Sequence, residues 1–445
     1  MINRIRAYPM IVLLLPLVVA ILFCEHKGVL YPEEGAVYDS LCVHTFVLRS
    51  ENKRTAQCER YEAQTYGGNV HVYVLRDSAH TLLHNGDTII AATRIRHADS
   101  IGAFDYRTYL LRQGIIGTAF VGRYEVRPAA SYSIPLQKRL YNRLSAAGLE
   151  GDELATAGAL TLGYKEDLDP AIKRRFQASG AAHVLAVSGL HTGVIYLIII
   201  SLLTLCGRFK PLHEDRLGRC SLGLIVIAVM WGYAWLTGLT PSVVRAVVMV
   251  TLVEVGRMAY RQSLSLNTIA AAAVLILLVR PLDLFNVGFQ LSFAATAAIV
   301  LIAKECERNL HWQERIKPRN RVLDWLLGTV IVSIAAQLGT LPLTMYYFGY
   351  VSTYFLLTNL IVLPLVSLLV PCGLISMVLG GSTAGVWWTK ITYGLAWLMN
   401  HSVGWIESLP GSTCPASVNG GMIAIYYVLL LAICVSYPSR RIFSA

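Results

Sequence analysis

A serine and a histidine three residues apart, Ser188 and His191, stand in the string His183-Val-Leu-Ala-Val-Ser-Gly-Leu-His-Thr-Gly193, which runs straight into a long apolar segment. If that segment is helical the two share one face. Serine beside histidine is the pair from which a hydrolase builds a nucleophile and its base. The spacing argues against that use, because residues one turn apart on one helix rarely meet as nucleophile and base. No carboxylate lies nearby in sequence to orient the imidazole either. Two other roles stay open, helix-to-helix hydrogen bonding and the lining of a pore or gate, since polar groups at the start of an apolar span cost desolvation energy unless they pair or face water.

Two further polar positions interrupt apolar runs. Gly238-Leu-Thr-Pro-Ser-Val-Val-Arg245 reads as a tight turn followed by a helix that Ser242 caps, with Arg245 about one turn inside it. An arginine at that depth marks a pathway, a carboxylate partner or a side chain snorkelling to the surface. Asp283, Asn286 and Gln290, spaced three then four, fall on one helical face. Gln290 reads either as an interhelical hydrogen bond or as a pore residue, and Asp283 as a solvated loop acid. The nine cysteines are scattered without CxxC pairs, so no metal site and no cofactor is expected.

The elements that must position these residues are membrane-spanning. Of 445 residues 55% are hydrophobic and only 15% charged, which excludes an ordinary soluble protein. No Asp, Glu, Lys or Arg occurs between Trp325 and Thr389, nor between Ser408 and Ser439. With roughly 20 apolar residues needed per crossing, spans are expected near 184–206, 220–238, 241–257, 265–281, 287–303, 325–344, 353–369, 371–388 and 420–437, besides a first one from Pro9 to Cys24. The stretch 353–388, with Pro364 and Pro371, reads as two short helices or one broken one, and the Trp-rich stretch from Val386 to Leu409 as an outer interfacial segment. Basic loops at Arg208–Arg219, Arg257–Arg261 and Lys304–Arg321, together with Arg440 and Arg441, all fall on one side of this layout. By the positive-inside rule that side is cytoplasmic, with both termini. The expected fold is a membrane α-helical bundle of about ten transmembrane helices with an extracytoplasmic small β-barrel of OB-like type. Its parts are an anchor (1–27), the β-domain (28–134), an amphipathic, interfacial helical linker that lies on the membrane or docks on the bundle (135–183), and the polytopic domain (184–445).

In the β-domain, two-residue alternation over Val37–Val47, Val70–Arg76, Thr88–Arg96 and Thr118–Arg127 predicts short strands. Its basic residues include Arg94, Arg96, Arg107, Arg112, Arg123 and Arg127, followed by Lys138, Arg139 and Arg143, against only Asp99, Asp105 and Glu125. Tyr106, Tyr109, Phe120, Tyr124 and Tyr132 are interleaved with them. Arginines tracking phosphates and aromatics stacking on bases suit a sequence-tolerant single-strand binder. A surface facing anionic headgroups, with the aromatics in the core, fits equally well. Cys42 and Cys58 are the only cysteines of this domain, and an oxidising compartment would permit a disulfide between them.

The string from His183 to Gly193 resembles the signature of the ComEC competence-protein family. So do Gly238-Leu-Thr-Pro-Ser-Val-Val-Arg-Ala246, Asn286-Val-Gly-Phe-Gln-Leu-Ser-Phe293, Thr340-Leu-Pro-Leu with Phe348-Gly349, and Asn359 with Pro364. Phe104-Asp-Tyr106, Tyr109-Leu110 and Gly114-Ile115 are similar to the end of that family's OB-like domain. The resemblance implies an inner-membrane channel passing single-stranded DNA into the cytoplasm during natural transformation. Ser188, His191, Arg245 and Gln290, each polar in an apolar span that the assigned topology starts at the outer surface, are expected to converge near the outer half of the bundle and line its route. The expected partners are single-stranded DNA, membrane lipids, a DNA-delivering receptor outside, and a cytoplasmic helicase or single-strand-binding protein. Many family members carry a metallo-β-lactamase-like nuclease domain, and no His-x-His-x-Asp-His cluster occurs here. The chain is therefore expected to be no enzyme, with any nuclease a separate protein. The alternatives are a transporter for another solute and, more remotely, an intramembrane serine hydrolase using Ser188 and His191.

Overall fold

The computed structural model describes residues 9–30, 40–49, 53–54, 58–75, 83–97, 105–129, 134–185, 187–205, 216–260, 265–303, 321–380 and 382–436. The chain forms two compact units, Val18–Pro135 and a second made of Met1–Leu17 with Leu136–Ala445. Helix α1 (Pro9–His26) opens the chain. Lys210 and Arg315, on which the expected topology rests, lie outside the described residues, as do Tyr132 and the C-terminal arginines.

The first unit holds strands β1 (Cys42–Leu48), β2 (Lys53–Arg54), β3 (Cys58–Thr65), β4 (Gly68–Leu75), β5 (Thr88–Thr93) and β6 (Ile95–Arg96), then helix α2 (Tyr106–Arg112), β7 (Ile115–Val121) and β8 (Glu125–Arg127). Hydrogen-bonded neighbours run β6-β7-β4-β3-β1-β5-β8, with β2 on β3, and β4 and β7 parallel. This is an open path, not the closed barrel expected from the sequence. Only Arg94 separates β5 from β6, and that bent stretch pairs with β1 at its start and with β7 at its end. The period-two alternation buries Phe46, Leu48, Val70, Val72, Val74, Ile89 and Ala91 in one core. Strand β3 escapes the alternation rule because its inward residues are Glu59, Tyr61 and Ala63. Burial of the Glu59 carboxylate is offset by the Tyr61 hydroxyl, which donates to it at 2.7 Å. Asp87 fastens the turn before β5, accepting from the His84 and Ala129 amides at 2.7 and 2.9 Å.

The second unit is helical: α3 (Leu136–Ala146), α4 (Gly151–Leu162), α5 (Pro170–Ala178), α6 (Ala182–Leu185), α7 (Gly189–Leu205), α8 (Arg216–Leu236), α9 (Pro241–Met258), α10 (Ser265–Val279), a 3-10 turn (Pro281–Phe285), α11 (Val287–Ala298), α12 (Arg321–Phe348), α13 (Phe355–Leu379), α14 (Thr383–Ser408) and α15 (Gly420–Ser436), with a ribbon of β9 (Tyr350–Ser352) and β10 (Thr413–Pro415). Among the described residues four stretches, Pro9–His26, Gly218–Leu236, Val322–Phe348 and Phe355–Leu379, are long and apolar enough to cross a membrane. Shorter apolar helices cover Gly189–Leu203, Leu266–Val279, Val287–Ile302 and Gly420–Leu430.

Two boundaries differ from the sequence expectation. Pro364 and Pro371 lie inside α13, which runs unbroken from Phe355 to Leu379, and the next helix starts only at Thr383 and extends to Ser408. Proline is tolerated in a buried span because neighbouring helices re-satisfy the freed carbonyls. Within the segment expected as an interfacial linker, α4 is a core helix: every residue from Leu154 to Leu162 is buried. Those nine residues carry no charge, and a helix apolar all round belongs in an interior. It packs so closely on α13 that a Cβ on Gly373 would stand 2.5 Å from the Thr161 methyl. Thr156 donates to Asn400 of α14 at 2.8 Å. A comparably tight crossing joins α11 and α12, where a Cβ on Gly339 would meet Ala298 at 2.5 Å and the Ala294 carbonyl at 2.7 Å.

Candidate functional site

In the β-unit the register builds two transverse rows on the face opposite the core. Arg60 faces Tyr73, and Tyr73 faces Phe120. Two residues along, hence on the same face, Glu62, His71, Thr118 and Arg96 follow one another across β3, β4, β7 and β6. Tyr73 and Phe120 are stacked, with centroids 4.9 Å apart and planes at 17°. Phe120 is 65% exposed. A cleft of about 480 Å³ opens here, lined by Tyr73, Phe120, Thr118, Arg94, Arg96, His97 and Tyr106, with Leu41, Ala92 and Thr93 completing it. Tyr106 opens α2, and its phenol is raised above the usual range, first by burial and then by its hydrogen bond with Tyr73. It also stacks on Tyr109 at 5.9 Å. The start of α2 is pinned by Asp105, which accepts from the Thr108 amide at 3.0 Å and its hydroxyl at 2.6 Å. Those bonds hold the carboxyl below its ordinary value.

The six arginines singled out by the sequence do not form one surface. Arg94 and Arg96 are exposed around buried Ile95 and line the cleft. Arg107 is exposed on α2, one residue after Tyr106. Arg112 is held in an ion pair with Glu25 at 2.6 Å. Arg123 and Arg127 belong to the β8 end, where Arg127 faces Thr88. Tyr73 and Arg60 escaped the sequence reading, since nothing local distinguishes a tyrosine in an alternating strand from its neighbours.

The expected disulfide is not formed, and strand register explains why. Val47 of β1 faces Gln64 of antiparallel β3. Cys42 lies five residues before Val47 and Cys58 six before Gln64, so the two diverge along the strands by roughly 35 Å at about 3.4 Å per residue. A disulfide tolerates no more than about 7 Å between Cα atoms, and the two cysteines are not bonded to each other.

In the helical unit, Ser188 and His191 do meet. The Ser188 amide donates to His191 Nδ1 at 3.1 Å, the serine hydroxyl lies 3.1 Å from the same nitrogen, and Ser188 Oγ accepts from the Leu190 amide at 3.3 Å. This is a capping box with histidine in place of the usual Glu or Gln: the cap hydroxyl binds an early helix amide while the third helical residue binds back to the cap amide. Because Nδ1 accepts, the proton of the neutral ring sits on Nε2. His191 is fully buried, and Nε2 has no hydrogen-bond partner among the described residues.

The start of α7 meets α9 at Ala246, 4.0 Å from where a Gly189 Cβ would lie. Next to Ala246, Arg245 is 6% exposed and directs its guanidinium at the start of α11, with Nη2 3.6 Å from the Cβ position of Gly288. Asn286 caps that helix, accepting from the Gly288 and Phe289 amides at 2.8 and 3.3 Å. Asp283 is the acid that acts on Arg245, and it lies 3.8 Å from Arg280. Gln290 is engaged at both ends, donating to the Leu284 carbonyl at 3.0 Å and accepting from the Tyr347 hydroxyl at 2.8 Å. The four residues thus sit on three helices in sequential contact, and no hydrogen bond joins one helix's member to another's among the described residues. A fifth group was overlooked. Glu254 of α9, 4% exposed, accepts from Tyr196 of α7 at 2.6 Å and pairs with Arg257 at 2.9 Å. An acid inside the predicted span 241–257 was the available signal.

Helices long and apolar enough to span a bilayer, joined to a separate sheet unit, define a membrane-type α-helical protein with an N-terminal β-unit. The family model described as "Competence protein" matches residues 160–441, and the chain belongs to that family. Among curated relatives, "ComE operon protein 3" of Bacillus subtilis (strain 168) is 28% identical over 299 residues, covering 65% of this chain and 34% of the relative. "Recombination protein 2" of Haemophilus influenzae is 24% identical over 287 residues, covering 64% and 35%. An uncharacterized protein of Aquifex aeolicus is 32% identical over 143 residues, 32% of each chain. The chain spans about a third of the length of the curated relatives it matches. No solved structure matches significantly.

Proposed function

We propose that the chain conducts single-stranded DNA across the inner membrane into the cytoplasm during natural transformation. The observation that carries this reading is Arg245, a buried cation set against the Asn286-capped start of α11 inside the region matched by the competence family. A phosphate backbone crossing a bilayer needs donors and a cation, but too many cations would hold it in place. One arginine, countered by Asp283 and otherwise beside neutral groups, suits passage. His191 Nε2–H supplies a further neutral donor, while Gln290, engaged at both ends, orders the helix beside the arginine. Against the hydrolase alternative, no described carboxylate bonds to the His191 imidazole to orient it.

The same reading takes the four long and four shorter apolar helices, with α9 and α14, as ten crossings. Both termini are then cytoplasmic and the β-unit lies outside. The bend at Arg94, which lets one stretch pair with both β1 and β7, supports an OB-like reading of that unit. The DNA would arrive from an outer receptor and leave to a cytoplasmic helicase or single-strand-binding protein, with a separate nuclease. The test is Arg245→Gln in a transformable host, scoring periplasmic uptake and cytoplasmic arrival separately. Cytoplasmic arrival should fall at least tenfold with uptake and protein abundance unchanged; normal transformation overturns the assignment.

A further inference from the structure

We propose that the start of α11 holds a small monovalent inorganic anion of the chloride class, between the Arg245 guanidinium and the first turn of that helix, whenever no strand occupies the route. The proposal rests on the conduction reading above and deepens it by naming the ion that keeps the place of a phosphate. Two independent features meet at one point. Helix α11 runs for 12 residues, and its aligned peptide dipoles leave positive charge at its start. Arg245, 6% exposed, comes from α9 and turns both terminal nitrogens to that start. Nη2 and Nη1 lie 3.6 and 3.9 Å from where a Gly288 Cβ would stand, a space that glycine leaves without a side chain. Positive charge thus faces positive charge. Nε has no hydrogen-bond partner among the described residues. Asp283 acts on the guanidinium electrostatically, but its ion-pair contact, at 3.8 Å, is with Arg280. A guanidinium enclosed in this way is costly unless a counter-charge reaches it.

The surroundings set the charge of that ion. Asn286 takes up the Gly288 and Phe289 amides at 2.8 and 3.3 Å, so an anion finds one guanidinium fork and the field of the helix, not a cradle of amides. A doubly charged oxyanion needs more donors than this, and Asp283 repels its second charge. Guanidinium is itself weakly hydrated, so its natural partner here is a weakly hydrated halide and not sulfate. A phosphodiester also carries one charge per phosphate, so a strand entering the site exchanges charge for charge with the ion it displaces.

The experiment uses the full chain in zwitterionic micelles, treated with nuclease and dialysed into gluconate, and reads chlorine NMR line broadening as chloride is added. The wild type should show saturable excess broadening. Arg245→Gln should weaken chloride binding by about tenfold or more, the scale of losing one charged partner. Two further variants keep the guanidinium and the helix. Gly288→Ala puts a methyl into the space itself, 3.6 Å from Nη2. Asn286→Asp retains a capping side chain and adds a negative charge beside the site. Both should weaken binding. Lys390→Gln, exposed on α14 and lying over Trp387 at 5.5 Å, is the control and should bind as the wild type does. Bromide should displace chloride far more readily than sulfate. No saturable broadening in the wild type, broadening that survives Arg245→Gln or both of the other variants, or displacement by sulfate as readily as by bromide overturns the proposal. Chloride binding is read without DNA, so its failure leaves conduction to the uptake assay, and a failed uptake assay leaves the ion site standing.

Discussion

The two units place their polar chemistry in opposite ways. In the β-unit, Phe120, Arg94 and Arg96 stand on an open face, and the fold beneath them is complete without them. In the helical unit, Ser188, His191, Arg245, Glu254 and Gln290 lie among the helices: Ser188 and His191 cap α7, while Glu254 and Gln290 bond to neighbouring helices through Tyr196 and Tyr347. A surface group adds to binding without altering the scaffold. An enclosed group that bonds its neighbours is a scaffold element first, so its function cannot be varied without moving the helices around it. Substitutions on the open face of the β-unit should therefore spare abundance, and those at Ser188, His191, Glu254 and Gln290 should act on stability before transport; Arg245, whose Nε has no hydrogen-bond partner among the described residues, is the helical-unit group expected to act on transport with abundance unchanged.

The sharpest break in that comparison lies at the α11–α12 crossing. Gly339→Ala pushes a methyl to 2.7 Å from the Ala294 carbonyl, a backbone atom that cannot step aside. It should cost about 1–3 kcal/mol and visibly lower the amount of folded protein in size-exclusion profiles of detergent extracts. Gly394 on α14 meets nothing within 4 Å, and the same substitution there should leave the profile unchanged or improved. Equal losses at both sites would mean that helix flexibility, not close approach, is what these glycines supply.

Next comes the Tyr196–Glu254–Arg257 group. Glu254→Ala leaves Tyr196 without its acceptor and Arg257 without its carboxylate, an expected loss of about 2–3 kcal/mol. Arg257→Ala should cost less than about 1 kcal/mol, because the Arg257 side chain is half exposed while that of Glu254 is buried. Thermal unfolding in micelles ranks the two, and the reverse order would place the carboxylate in an aqueous path. Smaller still is the capping box, where Ser188→Ala should cost about 1 kcal/mol. His191→Gln, which keeps an acceptor for the Ser188 amide, should retain more stability than His191→Phe. Equal losses from both would remove the capping role.

The smallest effect belongs to the β-unit and to pH. The Asp105 carboxyl is held down by the Thr108 hydroxyl and amide. A depressed folded-state value means the stabilisation is fully present above the ordinary carboxylate value and is lost as pH falls through the folded one. Amide protection of α2, exchange relative to the intrinsic rate at each pH, should therefore be flat through neutral and mildly acidic pH and fall only below about pH 4, and Asp105→Asn should abolish that fall. An unchanged acid response in the variant would assign it to another group.

Much of the architecture was legible because it is local. Apolar runs announced the helices, two-residue alternation announced most of the strands, and the strings around Ser188, Arg245 and Gln290 carried the resemblance to the competence family. What escaped had a physical reason in each case. Strand β3 was hidden because buried Glu59 is satisfied by Tyr61, a pairing no hydrophobicity pattern displays. The α4 core helix was read with its charged flanks, though nine of its own residues have none.

By itself, the order of residues determined which segments are apolar, where the alternation lies and where polar groups interrupt a span, since those follow from side-chain chemistry and the helix or strand period. Only the tertiary structure decided who meets whom. Tyr73 and Phe120 stack because β4 and β7 are parallel neighbours, although 47 residues separate them. Cys42 and Cys58, close in sequence, stay apart because β1 and β3 are antiparallel. Arg245 reaches Gly288, and Glu254 reaches Tyr196, because helix packing brings α11 and α7 against α9. Pairing of strands and helices depends on burying complementary faces over the whole chain, and no local window contains that information.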